Sequence, residues 1–104
     1  MKKHEKFIEH GGLKNASHLQ VSVYYTKGGS NYFTNNIDRR GYYVSVTPVT
    51  KGNGTISYTL FTGRKQLLLE SSRYSEKQFA KAVEMSKDFE EELVNIVVTE
   101  NMAA

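Results

Sequence analysis

Three aromatic residues, Tyr24, Tyr43 and Phe61, lie in three segments in which polar and apolar residues alternate. Alternation places every second residue of a strand on one face of a sheet, so the three rings are expected on one polar face. The other members of this face carry hydroxyl or amide groups: Gln20, Ser22, Ser45, Thr47, Thr55, Ser57 and Thr59. Unpaired bases stack on aromatic rings for about 1–3 kcal/mol each, so this pattern is typical of a surface for single-stranded nucleic acid. The same residue types are also good strand formers that need no ligand.

Basic residues are expected in the loops around this polar face. They are Lys27, Arg39, Arg40, Lys51, Arg64 and Lys65, and with the three aromatics they form the predicted nucleic-acid site. Residues 1–73 carry 11 Lys and Arg against four acids, a net of +7. Residues 74–104 carry three Lys against seven acids, a net of −4, which gives the total of +3. Because Lys and Arg neutralise phosphates, the basic part favours a polyanionic partner.

Catalysis and metal binding find little support in the sequence. The chain has no Cys, which excludes disulfides, thiolate metal sites and thiol nucleophiles. The three imidazoles, His4, His10 and His18, lie in or beside a polar N-terminal segment and are not expected to converge on a metal ion. No pair of side chains suggests a general acid and a general base. We therefore predict a protein that is not an enzyme and that uses no metal or other cofactor.

The alternating segments predict four strands. The first begins at His18, and the others span residues 41–49, 55–62 and 66–70. Their apolar members form the predicted core, with Tyr25 on the same face: Leu19, Val21, Val23, Tyr42, Val44, Val46, Ile56, Tyr58 and Leu60. Asn53-Gly54 suits the two positive-φ positions of a type I′ hairpin turn between the second and third strands. Residues 27–40 are expected to form a long loop.

A helix is predicted over residues 76–97. Ser75 is the expected N-cap and Gln78 its partner in a capping box, while Tyr74 and Phe79 can form a hydrophobic staple. Apolar and small residues then recur at helical spacing, and the acids cluster on the remaining surface. A helix of this length measures about 33 Å, which is enough to cross one face of a four-stranded sheet.

These elements predict an α+β fold, a four-stranded antiparallel sheet followed by one long C-terminal helix packed on one face. A length of 104 residues suits a single domain, which we expect over residues 18–104 after a flexible polar tail over residues 1–17. The sequence lacks a run of about 18 apolar residues, so we expect no membrane span. The N-terminus is too polar for the core of a signal peptide, so a cytoplasmic protein is expected.

This order of elements resembles the PC4-like single-stranded DNA-binding fold, which occurs in transcriptional coactivators and bacterial relatives. The resemblance covers residues 19–97 and rests on Gly63-Arg64-Lys65, the apolar run Leu67–Leu69 and the capped helix that follows. The chain differs from the family in its long 27–40 segment and in a longer connection before the helix. The stretch from Tyr24 to Val46 is also similar to small uncharacterised proteins of conjugative mobile elements, a group with no established activity to transfer.

The PC4-like resemblance implies a function and a set of contacts. Arg64 and Lys65 would contact phosphate, and the face with Tyr24, Tyr43 and Phe61 would take bases. The resemblance further implies a homodimer and favours DNA over RNA.

Two alternatives to nucleic-acid binding remain open. The acidic helix, with Glu90, Glu91 and Glu92, or the exposed aromatics could form a protein-interaction module or an inhibitor. Alternatively, the helix could pair with a second copy through Phe89, Leu93 and Val97 as part of a structural oligomer.

Overall fold

The computed structural model of the chain describes residues 3–14, 16–31, 36–50, 55–56 and 61–102. Its elements are β1 (Lys3–Glu9), β2 (His18–Thr26), β3 (Gly29–Asn31), β4 (Asn36–Asp38), β5 (Gly41–Thr50), β6 (Thr55–Ile56), β7 (Gly63–Leu67) and α1 (Glu76–Glu100). The main sheet is antiparallel in the order β1-β2-β5-β6, and β7 also pairs with β5. The predicted α+β fold is therefore confirmed. The four predicted strands correspond to β2, β5, β6 and β7, and β1 extends the sheet.

The core lies between the sheet and α1, on the face that the alternation predicts. The apolar residues of β2 and β5 on this face are all buried: Leu19, Val21, Val23, Tyr25, Tyr42, Val44 and Val46. Phe79, Ala82, Leu93 and Val97 of α1 are buried against them. The predicted core positions Tyr58 and Leu60 and the predicted turn at Asn53-Gly54 lie outside the described residues, as does the side chain of Ile56.

The N-cap of α1 is confirmed, but its capping box forms in only one direction. The Gln78 backbone N–H donates to the Ser75 hydroxyl at 3.1 Å. The Ser75 N–H donates instead to the Tyr42 hydroxyl at 3.2 Å, and that hydroxyl donates to the Arg73 carbonyl at 2.9 Å. A buried tyrosine of β5 thus replaces the Gln78 side chain in the capping box, and it fixes where the helix starts against the sheet.

The structure differs from the predicted N-terminal tail, because residues 3–9 form β1 at the edge of the sheet. β1 pairs with β2 from Lys3↔Tyr24 to Glu9↔His18. Its side chains are exposed except for Ile8, which is half-buried, so the segment has no hydrophobic alternation that would indicate a strand. Lys6 links it to α1 through an ion pair with Glu90 at 2.6 Å.

The fourth predicted strand begins earlier than residue 66, at Gly63, and ends at Leu67. Gly63 resembles a turn residue in the sequence, but it lies under α1, where an added Cβ would be 2.9 Å from the Val97 Cγ2 atom. The glycine therefore allows the helix to approach the sheet closely. Leu67 is buried, whereas Leu68, predicted in the strand, follows its end and is 78% exposed.

The 27–40 segment contains a two-stranded sheet where a loop was predicted. The β2–β5 ladder ends with the pair Thr26↔Gly41, and the β3–β4 ladder begins with Gly29↔Asp38. Two residues intervene on each strand, so the second ladder continues the register of the first. We call the described residues 27–31 and 36–40 the arm.

Asn101 caps the C-terminus of α1 and joins three parts of the chain. Its side chain is 3% exposed. The amide Oδ1 accepts from the Phe61 N–H and the Nδ2 donates to the Phe61 carbonyl, both at 2.8 Å. The Nδ2 also donates to the Val97 carbonyl at 2.8 Å, and the Asn101 carbonyl accepts from the Lys14 N–H at 2.9 Å. Asn101 thus holds two loop segments against the helix end.

Candidate nucleic-acid interface

The open face, which is the sheet face opposite α1, presents two cross-strand rows of side chains close to the arm. Strand pairing aligns one row as Lys3, Tyr24, Tyr43 and Gln66, and the next as Glu5, Ser22, Ser45 and Arg64. Each row crosses four strands, about 15 Å at the usual strand spacing. The predicted placement of Tyr24 and Tyr43 on one polar face is confirmed.

Tyr24, Tyr43 and Arg64 form a continuous stack on this face. The two tyrosine rings are nearly parallel, with centroids 5.7 Å apart and an interplanar angle of 17°. The Arg64 Cζ atom lies 4.5 Å from the centroid of the Tyr43 ring. Tyr43 is only 5% exposed because its neighbours cover it, whereas Tyr24 and Arg64 are half-buried. The prediction that Tyr43 itself offers an exposed ring is therefore wrong, and Tyr43 instead supports its two neighbours.

The stack is connected to the base of the arm. The Tyr43 hydroxyl donates to the Arg39 carbonyl at 2.7 Å. Arg39 and Arg40 are exposed, as is Lys27, which lies between β2 and β3. The three arm cations that the sequence assigned to the site therefore lie beside the Tyr24–Tyr43 row.

Arg64 and Lys65 point to opposite faces, although both were predicted to contact phosphate. They lie within β7 and not in a loop, so their side chains alternate. Arg64 pairs with Ser45 on the open face, and Lys65 pairs with Val44 on the helix side. There the Lys65 Nζ lies 4.7 Å from the centroid of the Phe89 ring. Lys65 is exposed, but it does not belong to the open face.

Phe61 does not join this cluster. Phe61 is 44% exposed but lies outside the strands, where its backbone is bonded to Asn101 at the end of α1. The predicted third strand, residues 55–62, included Phe61, but the next strand of the structure after β6 begins only at Gly63. Lys51 lies outside the described residues.

β1 adds charged groups that the sequence analysis did not assign to the open face. Lys3 lies beside Tyr24, and Glu5 and Glu9 lie along the same edge. Glu5 accepts a hydrogen bond from the Gln20 amide at 2.7 Å and lies 3.7 Å from the Lys3 ammonium. β1 therefore adds acids to the open face, and the cations of the face are concentrated towards the arm.

The part of the chain that the structure describes contains no cluster of three His, Cys, Asp or Glu residues that could hold a metal ion. Among the same residues, no helix is both long and apolar enough to cross a membrane. A shallow surface depression on α1 is lined by Asp88, Glu91, Glu92, Asn95 and Ile96.

Comparison with known proteins gives no relative from which a function could be transferred. No protein-family model matches the chain, and no curated protein or solved structure matches it significantly. The function is therefore inferred from the open face and the arm themselves.

Proposed function

We propose that the protein binds single-stranded DNA without catalysis, on the open face next to the arm. The observation that carries this proposal is the stack of Tyr24, Tyr43 and Arg64 on a sheet face that the helix leaves uncovered. Single-strand binding surfaces combine aromatic rings for the bases with cations for the backbone, and both are present here within two rows of the sheet. A cytoplasmic protein of a mobile element would meet such strands during DNA transfer.

Bases would stack on Tyr24 and on the guanidinium plane of Arg64. Both side chains are partly accessible, and both are held against Tyr43. A guanidinium that is fixed over an aromatic ring keeps a flat surface on which a base can stack. The buried Tyr43 ring would act as a rigid support that reduces the ordering cost of binding.

The charge distribution favours the end of the open face that is close to the arm. Lys3 and Arg64 lie in the two rows and the three arm cations lie in the adjoining segments, whereas Glu5 is the acid within the two rows. The acids in the middle of α1 lie behind the sheet, because Glu90 pairs with Lys6 and its neighbour Phe89 contacts Lys65 on the helix side. A phosphate backbone on the open face therefore avoids the acids of the helix.

Two neighbouring residues provide a sharp test, because Arg64 and Lys65 carry the same charge on opposite faces. Fluorescence anisotropy with a labelled strand of about 20 nucleotides would compare Arg64→Gln with Lys65→Gln at about 50 and 200 mM salt. We expect the wild type to bind more weakly at the higher salt concentration. Arg64→Gln should weaken binding by about tenfold or more, since a stacking plane and a phosphate contact are lost together. Lys65→Gln should have an effect of less than about threefold.

Equal effects of the two substitutions would contradict the open face as the binding site. Absence of single-strand binding at low salt would contradict the function itself.

A protein-interaction role through α1 is the second candidate, and one observation favours it. Asp88, Glu91 and Glu92 are exposed around the partly exposed side chain of Ile96, which gives a surface for a basic, partly apolar segment. Glu90 does not belong to this surface, because it is half-buried in its ion pair with Lys6. Charge reversal by Glu91→Lys and Glu92→Lys should abolish such a complex and leave DNA affinity within about twofold.

The helix face predicted to form a homodimer, with Phe89, Leu93 and Val97, is not available for contact with a second copy. Leu93 and Val97 are buried against the sheet of the same chain, and Phe89 is covered in part by Lys65. A homodimer would therefore have to use a different part of the molecule.

A further inference from the structure

The arm extends the β2–β5 hairpin beyond the part of the sheet that α1 covers. β3 and β4 form a separate two-stranded sheet in the same register. The helix starts beside Tyr42 and runs away from the arm towards Gly63, so it does not cover β3 or β4. β2 and β3 together would extend about 45 Å at the usual rise per residue, which is close to the 42 Å length of the molecule.

The dimensions of the arm match those of a DNA groove. A two-stranded ribbon fits the major groove of duplex DNA, which is about 12 Å wide and about 8.5 Å deep. From Thr26 to Asn31 the strand advances about 17 Å, so the arm is long enough to reach the floor of the groove. Gly28 and Gly29 at its base have φ angles of +94° and +116°, a backbone conformation that glycine adopts without strain.

The exposed cations lie at the base of the arm, where the edge of a groove would be. Lys27 lies between β2 and β3, and Arg39 and Arg40 lie between β4 and β5. In a groove complex, the phosphates of the two DNA strands flank the ribbon, and cations at its base can contact them while the ribbon enters. The hydrogen bond from Tyr43 to the Arg39 carbonyl fixes this base relative to the single-strand stack.

We infer that the protein recognises a junction between single-stranded and duplex DNA, with the strand on the open face and the duplex on the arm. This inference rests on the proposed function, because it assigns the single strand to the Tyr24–Tyr43–Arg64 stack. The two surfaces are adjacent and are joined by the hydrogen bond from Tyr43 to Arg39, so a DNA molecule that changes from single strand to duplex nearby can contact both. Simultaneous contact would raise the affinity without a second binding event.

The test compares DNA molecules with the same number of phosphates. One is a duplex of about 12 base pairs, slightly more than one helical turn, with a single-stranded tail of about 12 nucleotides. The others are a single strand and a blunt duplex with the same total number of nucleotides. Anisotropy titrations at about 50 and 200 mM salt would use the wild type, the double variant R39Q/R40Q and the control K77Q/K81Q. Lys77 and Lys81 are exposed on α1, so the control removes the same charge outside the arm.

We expect the wild type to bind the tailed duplex about tenfold more tightly than either matched DNA. R39Q/R40Q should abolish this preference and should keep the thermal unfolding midpoint, since both side chains are exposed. Each duplex phosphate contact contributes about 0.9 to the slope of log affinity against log salt concentration. Without two contacts, the loss of affinity between about 50 and 200 mM salt should therefore be about tenfold smaller. K77Q/K81Q should retain the preference.

Equal wild-type affinity for the tailed duplex and the matched single strand would overturn the junction inference and leave single-strand binding in place. Equal losses in R39Q/R40Q and K77Q/K81Q would also overturn it, because net charge would then explain the effect. Absence of binding to all three DNA molecules would overturn both proposals together.

Discussion

The Tyr43 hydroxyl donates a hydrogen bond of 2.7 Å to the carbonyl oxygen of Arg39. Tyr43 belongs to the stack on the open face, and Arg39 belongs to the arm, so this bond couples the two surfaces that we assign to DNA. Only three residues separate Arg39 from Tyr43 in the chain, and one of them, Gly41, has a φ angle of +149°.

Removal of this hydroxyl should loosen the arm while the ring stack remains. Tyr43→Phe leaves the Arg39 carbonyl without this donor and should lower the free energy of unfolding by about 1 kcal/mol in urea denaturation. The ratio of tailed-duplex to single-strand affinity should fall, because the base of the arm is no longer fixed relative to the stack. An unchanged ratio in anisotropy titrations would show that this hydrogen bond does not orient the arm.

Tyr24 is the aromatic side chain of the stack that a base can reach most directly. Tyr24→Ala should weaken single-strand binding by about 1–3 kcal/mol, the usual contribution of one base–aromatic stack. Tyr24→Phe retains the ring and should restore most of that affinity. If Tyr24→Phe binds as weakly as Tyr24→Ala in the same titration, the hydroxyl and not the ring face makes the contact.

Elements with one apolar and one polar face can be predicted from the sequence, whereas elements whose two faces are alike cannot. The alternation at Leu19, Val21 and Val23 identifies β2 because α1 covers one face and not the other. β1 shows no hydrophobic alternation that would predict it, because most of its side chains are exposed on both faces of this edge strand. The helix start at Ser75 is predictable from local chemistry, but the role of Tyr42 in its cap depends on a contact across 33 residues.

The candidate site shows the same limit. Tyr24 and Tyr43 can be assigned to one face from alternation alone, and their pairing in the sheet confirms it. Tyr43 is covered in part by Arg64 of β7. The predicted strand begins only at residue 66, because Gly63 resembles a turn residue in the sequence, whereas β7 begins at Gly63. A strand boundary that is wrong by a few residues changes which of Arg64 and Lys65 faces the site.

Gly63 should not tolerate a side chain, because its Cβ would meet the Val97 Cγ2 atom at 2.9 Å. Gly63→Ala should lower the free energy of unfolding by about 1–3 kcal/mol, since the helix must move away from β7. Gly11→Ala is the matched control, because nothing lies within 4 Å of its added Cβ. It should change stability by less than about 0.5 kcal/mol. Equal unfolding midpoints of the two variants would contradict close helix packing at Gly63.

Asn101 should contribute more to stability than any exposed polar residue of α1. Asn101→Ala removes both hydrogen bonds to the Phe61 backbone and the side-chain bond to Val97. Buried groups that lose a partner cost about 1–3 kcal/mol each, so we expect a loss of at least about 2 kcal/mol in urea denaturation. Asn95→Ala, at an exposed position of the same helix, should be nearly neutral. A neutral result for Asn101→Ala would contradict its role in joining the loops to the helix.

The contacts of Asn101 also have a consequence for the order of folding. Its hydrogen bonds connect it to Phe61, 40 positions earlier in the chain, and to Lys14, 87 positions earlier. The β2–β5 hairpin closes over a much shorter distance in the chain, so its loop-closure entropy is smaller. We expect the hairpin to form early and the Asn101 contacts to form last. The Tyr24–Tyr43 pair and the arm would then be organised before the opposite end of the molecule is complete.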